Sequence, residues 1–318
     1  MTSSLPVTSL DHFRGLTGRS DVEGLVAVVT GGNAGLGLYA AQALALNGAK
    51  VYILGRRDDV LKHAASSLDG VNSVQGTLIP VQADVTSKES LKNAVDVIES
   101  HQGERGIDVL LCNAGVSGKM MKNYGKGGYD TTNFEAIVSE LDSFSQDDFD
   151  HIFHVNVMGP YLSSIAFLQT LRKGSEWHKA QAKKEGSEWP AYTSQVIVVS
   201  SNAASINIVN ALYNVSKAAA SHWSTMLSCI LTDSSIRVNT LEPGLYPTDM
   251  TGASLTDPGT GHGVLKGTNG ADIPAGRAGF PHEHAASVLY LSSRNSLFAN
   301  GARLRVDGGA ILNGAATD

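Results

Sequence analysis

The chain reads as an α/β protein: a doubly wound sheet of seven parallel strands flanked by helices, in a single domain. Three observations predict this. Seven short strand-like runs, most of them apolar, recur along the sequence, and segments with helical spacing lie between them. The first run ends in a glycine-rich turn that opens a helix. Strands that are apolar along their whole length need cover on both faces, and crossover helices supply it.

The elements follow in order. Residues 26–29 (Val-Ala-Val-Val) form the first strand, and a helix is expected over 35–47. Leu38, Ala41, Leu44 and Ala45 share its apolar face, and Gly48 stops it. Residues 51–54 and 78–81 are the next strands, the latter leading to Asp84. A helix over 87–100 buries Leu91, Val95 and Ile98, with Ser87 and Ser90 near its start. Residues 109–112 form a strand, 149–171 a long helix, and 196–199, 236–241 and 303–306 the last three strands. Ligands of such sheets bind at the carboxyl ends of the strands.

Composition narrows the function. Of 318 residues, 42% are hydrophobic and 17% charged, an ordinary globular balance. A net charge of −6 argues against nucleic acid or an anionic membrane as partner. No apolar run approaches the roughly 18 residues of a spanning helix. Residues 1–22 read as a loose polar arm and 23–318 as the folded domain. Cys112 and Cys229 read as small buried hydrophobes, with a cytoplasmic location as the default. His151 with His154, and His282 with His284, lack a third ligand nearby, so no metal is expected.

The turn Thr30-Gly31-Gly32-Asn33-Ala34-Gly35-Leu36-Gly37 joins the first strand to the first helix. Glycines there admit a pyrophosphate close to the backbone, and the helix N-terminus offers free N–H groups and partial positive charge. An NAD site would carry an acid about 20 residues on. Here the second strand runs into Gly55-Arg56-Arg57. A guanidinium pairs with a phosphate, which points to NADP(H) ahead of NAD(H).

Tyr213 and Lys217 lie four residues apart on a predicted helix and so share a face. Bringing a phenol from its ordinary value of about 10 to about 7 takes roughly 4 kcal/mol of differential stabilisation. An ammonium beside it is expected to supply that by favouring the phenolate.

With these residues in hand, the chain resembles the short-chain dehydrogenase/reductase family, in its shorter single-domain branch, over about residues 23–309. Thr30 to Gly37 fits that branch's Thr-Gly-x-x-x-Gly-x-Gly spacing. Asn113-Ala114-Gly115 matches the motif after the fourth strand, and Asp84-Val85 the pair beside the adenine. Pro243-Gly244 with Thr248 looks like the segment that wraps the nicotinamide, and Asp307-Gly308-Gly309 like the C-terminal signature. Ser201 and Asn156 stand where the family places its catalytic serine and asparagine. Residues 243–250 and Ile273-Pro274-x-x-Arg277 look closest to 3-oxoacyl-carrier-protein-reductase-like members.

The resemblance implies a Rossmann-type fold and a catalytic set of Ser201, Tyr213, Lys217 and Asn156. Cofactor contacts are implied at Gly31, Asn33, Gly35, Leu36, Gly37, Arg56, Asp84, Val85, Asn113, Ala114, Gly115, Tyr213, Lys217, Pro243, Gly244 and Thr248. The implied reaction moves hydride between NADP(H) and a carbonyl or secondary alcohol, most simply ketone reduction. Tyr213 would pass the proton, Lys217 would lower its pKa and hold the nicotinamide ribose, and Ser201 would hold the substrate oxygen. Asn156 would keep a water that links Lys217 to solvent. A small-molecule substrate and a homotetramer or homodimer complete the expectation. An NAD-dependent dehydrogenase of the same family, and an idle dinucleotide-binding sensor or scaffold, stay open as alternatives.

The sequence departs from the family pattern in insertions at about 117–145 and 173–194, with a substrate lid expected over 249–280. The first holds Met120, Met121, Tyr124 and Tyr129 and could cover the substrate. The second repeats Gly-Ser-Glu-Trp, ending at Trp177 and Trp189. It is expected to extend a helix away from the active face, where the indoles could anchor a partner or pack locally. Asn207 and Asn210 could face the substrate.

Overall fold

The computed structural model describes residues 21–71, 74–119, 121, 124–125, 128–129, 132–188, 190–206, 210–251 and 273–312. Its centre is a seven-stranded sheet in the order β3-β2-β1-β4-β7-β8-β9. The strands are β1 (Val26–Thr30), β2 (Lys50–Gly55), β3 (Thr77–Gln82), β4 (Val109–Cys112), β7 (Gln195–Val199), β8 (Arg237–Pro243) and β9 (Arg303–Val306). Every pair within the sheet is parallel. A two-residue antiparallel hairpin, β5 (Tyr124–Gly125) with β6 (Gly128–Tyr129), lies in the first insertion.

The period of two along each strand divides the core. Ala27, Val29, Val51 and Ile53 point to one face, under α1 (Gly35–Leu46), α2 (Asp58–Ala65) and α8 (Pro281–Ser292). Val28, Tyr52, Leu54 and Leu110 point to the other, under α3 (Lys88–Gln102), α6 (Gly159–Glu185) and α7 (Ala211–Ile230). Such alternation lets a strand that is apolar throughout serve two layers. Pro80 sits in β3 because that strand is an edge and has only β2 as neighbour.

Several expectations change in detail. The predicted strand at 236–241 ends at Pro243, so Glu242 belongs to the sheet. The predicted helix at 149–171 is three pieces: α5 (Gln146–Phe153), a π-helical turn at His154–Met158, and α6. Before them, α4 (Phe134–Asp142) lies within the first insertion. Val22, read as part of the arm, is fully buried in the core. Cys112 is buried, but Cys229 is exposed, because the last turn of α7 faces outward with Ile230. Trp177 packs on the Arg105 guanidinium at 4.1 Å, a local contact rather than a free anchor. Trp189, Asn207 and the expected lid from 252 to 272 lie outside the described residues.

The amino end of the sheet is held by a buried carboxylate. Asp108, just before β4, accepts from Val26 N at 2.7 Å and from both terminal nitrogens of Arg105 at 2.9 and 2.5 Å. His178 Nε2 lies 2.9 Å from its Oδ1. Burial pushes this carboxyl up, yet the bonds from His178 and Arg105 outweigh it and leave it below its ordinary 3.8. A carboxyl lowered by folding stabilises the fold above its unfolded value, and that contribution disappears as pH falls through the folded value. Asp108→Ala should therefore cost about 3 kcal/mol at pH 7, since it strands buried partners. Urea melts should show the gap from wild type shrinking as pH drops below 3.8.

Candidate active site

The strand order runs outward in both directions from β1 and β4, so the crossovers diverge and leave a crevice at their carboxyl ends. Thr30, the last residue of β1, ties the two ends together. Its Oγ1 accepts from Asn113 N at 3.0 Å and Ala114 N at 3.1 Å. The Asn113 side-chain amide donates to Thr30 O at 3.2 Å and Gly31 O at 3.3 Å. Asn113 thus braces the glycine turn from behind.

The turn is built for close approach. Gly31 has φ +65°, a region that favours glycine. A Cβ on Gly37 would lie 2.3 Å from both Asn113 Nδ2 and Gly31 O, so helix, turn and β4 could not meet with any larger residue there. Ala34 caps α1 without a side-chain acceptor, which leaves the first N–H groups of the helix free of a side-chain cap.

A cavity of about 370 Å³ lies over this turn. Gly31, Asn33, Gly35, Leu36, Arg56, Asp84, Val85, Asn113, Ala114, Gly115, Tyr213, Lys217 and Thr248 all line it, joined by Arg57, Asp249 and Met250. Gly37, Pro243 and Gly244, expected as cofactor contacts, do not line it; Gly244 lies so close to the Asp307 backbone that a Cβ would come within 2.5 Å. Burial pushes Asp84 up, but hydrogen bonds from Thr86 and the charge of Arg56 leave it below its ordinary value. The bare glycine floor and the uncapped helix end fit the pyrophosphate of a nicotinamide dinucleotide.

The reacting end sits where β7 meets α7. Ser201 follows β7, is buried, and its Oγ accepts from Ala203 N at 3.1 Å. The Tyr213 phenol hydrogen-bonds to Ser201. Lys217, one turn on, is buried; its Nζ donates to Val199 O at 3.1 Å and lies 5.8 Å from the Tyr213 ring centre. Asn156 projects from the π-helical turn, whose extra residue per turn re-aims the side chain. Its Oδ1 accepts from Val116 N at 2.8 Å, and its Nδ2 donates to Val116 O at 2.9 Å and Ser216 Oγ at 3.0 Å. A Cβ on Gly115 would lie 3.2 Å from Asn156 Oδ1 and 3.3 Å from Lys217 Nζ, so these three residues converge.

The electrostatics correct one expectation. The sequence suggests a phenol lowered by its ammonium neighbour. Instead burial raises Tyr213 above its ordinary 10, only partly opposed by the bond to Ser201. Burial also lowers Lys217 to about 8. The free site therefore holds a protonated phenol, ready to donate.

One further residue of the site, Ser216, escapes sequence reasoning. Ser216 receives the Asn156 amide and donates to Tyr213 O at 2.7 Å. Its place between Tyr213 and Lys217 is the only signal it carries. Asn210 is buried and donates to Ser117 O at 3.2 Å, joining the start of α7 to the loop after β4. Among the described residues, no group of three potential metal ligands converges. No described helix is long and apolar enough to cross a membrane.

Comparison with known proteins agrees with this geometry. The family model described as short chain dehydrogenase matches residues 25–259. The chain is 33% identical over 305 residues to the short-chain dehydrogenase/reductase VdtF of Byssochlamys spectabilis, covering 92% of this chain and 94% of that one. Among solved structures it resembles the Pseudomonas aeruginosa RhlG/NADP active-site complex. That match has TM-score 0.71 and 26% identity, over 91% of this chain and 97% of RhlG. It shares its fold with a 3-ketoacyl-(acyl-carrier-protein) reductase from Brucella melitensis complexed with NADH, at TM-score 0.68 and 24% identity, over 91% and 99% of the two chains. A glycine turn, a Ser-Tyr-Lys cluster and a match this long have one reading: the chain is an oxidoreductase of the short-chain dehydrogenase/reductase family.

Proposed function

We propose that the protein uses NADP(H) to reduce a ketone to a secondary alcohol. The observation that carries this is the Tyr213–Ser201 hydrogen bond at the cavity that also holds the glycine turn. In this reading Gly31, Asn33, Gly35, Leu36 and Gly37 cradle the pyrophosphate, and Arg56 takes the extra phosphate with Arg57 beside it. Asp84 and Val85 flank the adenine, and Asn113, Ala114 and Gly115 back the adenosine. Pro243, Gly244 and Thr248 shape the nicotinamide end. When bound, the dinucleotide supplies the hydride.

The chain's own groups manage the proton. Ser201 donates a hydrogen bond to the carbonyl oxygen and stabilises charge as it builds. Tyr213 gives its phenolic proton to that oxygen. Lys217 stabilises the phenolate left behind. Asn156 positions Lys217 by bracing the loop after β4 against α7, its side chain being bonded to Val116 and Ser216.

The likeness to a protein solved with NADP supports the cofactor choice, and the two rim arginines support it independently. A cytoplasmic homodimer or homotetramer fits the exposed Tyr161 and Ile165 of α6 and Val215, Met226 and Ile230 of α7. The Tyr161 and Trp223 rings, 4.5 Å apart, join the two helices there.

Tyr213→Phe should lower kcat at least a hundredfold on any ketone that the wild type reduces, with NADPH affinity within twofold. Turnover within tenfold of wild type would remove Tyr213 from the proton step. Arg56→Ala should raise KM for NADPH ten- to a hundredfold and leave KM for NADH unchanged; equal use of NADPH by both proteins would defeat the phosphate assignment. The Lys217 amine, lowered to about 8, is charged below that pH and neutral above it. In a kcat profile from pH 6 to 10, reduction should hold near neutrality and decline as pH rises through about 8. A flat profile to pH 10 would exclude Lys217 as the stabilising cation.

A further inference from the structure

Glu242 is a fully buried acid on β8, the strand beside the β7 end that carries Ser201, and no step of the proton chemistry uses it. It stands near the carboxyl end of β8, one residue before Pro243. Arg303 on β9 donates to its Oε1 from Nε at 2.9 Å and from Nη2 at 2.6 Å. Arg305 donates to its Oε2 from Nε at 3.2 Å and from Nη2 at 3.1 Å. The remaining contact leads toward the chemistry.

Ser221 Oγ lies 2.9 Å from Glu242 Oε1 and 2.8 Å from Ser200 Oγ, so its single hydrogen faces both. Ser200 in turn donates to Lys217 O at 2.7 Å. Tyr213, Lys217 and Ser221 follow at intervals of four on α7, so they share one face. A second arm runs through Arg305, whose Nη2 donates to Ser205 Oγ at 2.8 Å. Ser200 and Ser205 bracket Ser201 in the chain. One carboxylate therefore ties together the helix that carries Tyr213 and Lys217, the strand end that carries Ser201, and the loop that leaves it.

We propose that Glu242 is a positioning residue for proton transfer: through Ser221–Ser200 and Arg305–Ser205 it sets the register of α7 against the Ser201 strand end. A slip of α7 along its axis would break the Ser221–Glu242 and Ser200–Lys217 bonds together and carry the Tyr213 phenol away from Ser201. Misplacement of a reacting group by about 1 Å can cost a hundredfold in rate. The charge alone does not explain the arrangement, because the arginines need only a carboxylate, whereas Ser221 needs one at this reach.

This inference rests on the oxidoreductase reading for its kinetic arm only. Glu242→Asp keeps the charge but draws it back by one methylene from Ser221 and the arginines alike; Ser221→Ala removes the serine link alone and leaves the charge in place. Both full-length proteins should reduce a panel ketone accepted by the wild type with kcat lowered at least fivefold, KM for NADPH within twofold. Hydrogen exchange read by peptide should quicken at least fivefold over residues 200–206 and 211–221, with residues 25–46 unchanged. Wild-type kcat in both variants, or exchange that rises equally everywhere, would overturn the proposal. Should the wild type reduce no ketone in the panel, the oxidoreductase reading fails by itself and the exchange pattern alone decides the anchoring.

Discussion

The structure depends on the seam between β1 and β4. All seven strands run one way, so every carboxyl end meets at one edge of the sheet. Only at this seam do the crossovers part and leave room for a ligand. The seam holds because Thr30 and Asn113 satisfy each other's backbone and side-chain groups across it. A buried backbone N–H or C=O without a partner costs about as much as a lost hydrogen bond, so a crevice in a core needs such local closure. The glycine turn, the free end of α1 and the convergence of Gly115, Asn156 and Lys217 all follow from that placement.

Burial then sets the chemistry. It raises the Tyr213 phenol and lowers the Lys217 amine, so each is pushed toward its neutral form. The two effects suit a donor that gives up its proton only when negative charge appears on a neighbouring oxygen. A phenol already ionised in the free site would have nothing to give in the reductive direction. The arrangement favours charge that develops during reaction over charge present at rest, which is the condition for transition-state stabilisation.

Opposite ends of the sheet use buried carboxylates differently. Asp108 at the amino end gathers Arg105, His178 and the first backbone N–H of β1 into one closed cluster. Glu242 at the carboxyl end reaches outward through serines to two elements that carry reacting groups. The first insertion's neighbour, the Gly-Ser-Glu-Trp segment, is absorbed at the amino end: Gly174 meets Ile107 O, Ser175 bonds Ser235 O and Ser194 N, and Trp177 covers Arg105. This first copy of the repeat is packing, remote from the reacting groups.

Much was legible in the sequence because the signals are local. Short, mostly apolar strands, the glycine turn, and Tyr213 with Lys217 at helical spacing each need only a few consecutive residues, and they indicate the sheet, the cofactor turn and the catalytic helix. The sequence pattern ends β8 at Leu241, whereas pairing with β9 keeps Glu242 and Pro243 extended. Asn156 could be picked out, but not the π-helical turn that aims it. The charge states were misjudged as well: spacing reports that an amine stands near a phenol, whereas burial, which overrides that neighbour here, exists only once distant segments pack. Local backbone preference was thus enough to determine the elements and the residues that react. The tertiary structure decided their protonation, their bracing by Ser216 and Glu242, and their distances, because those depend on contacts between residues up to about a hundred positions apart.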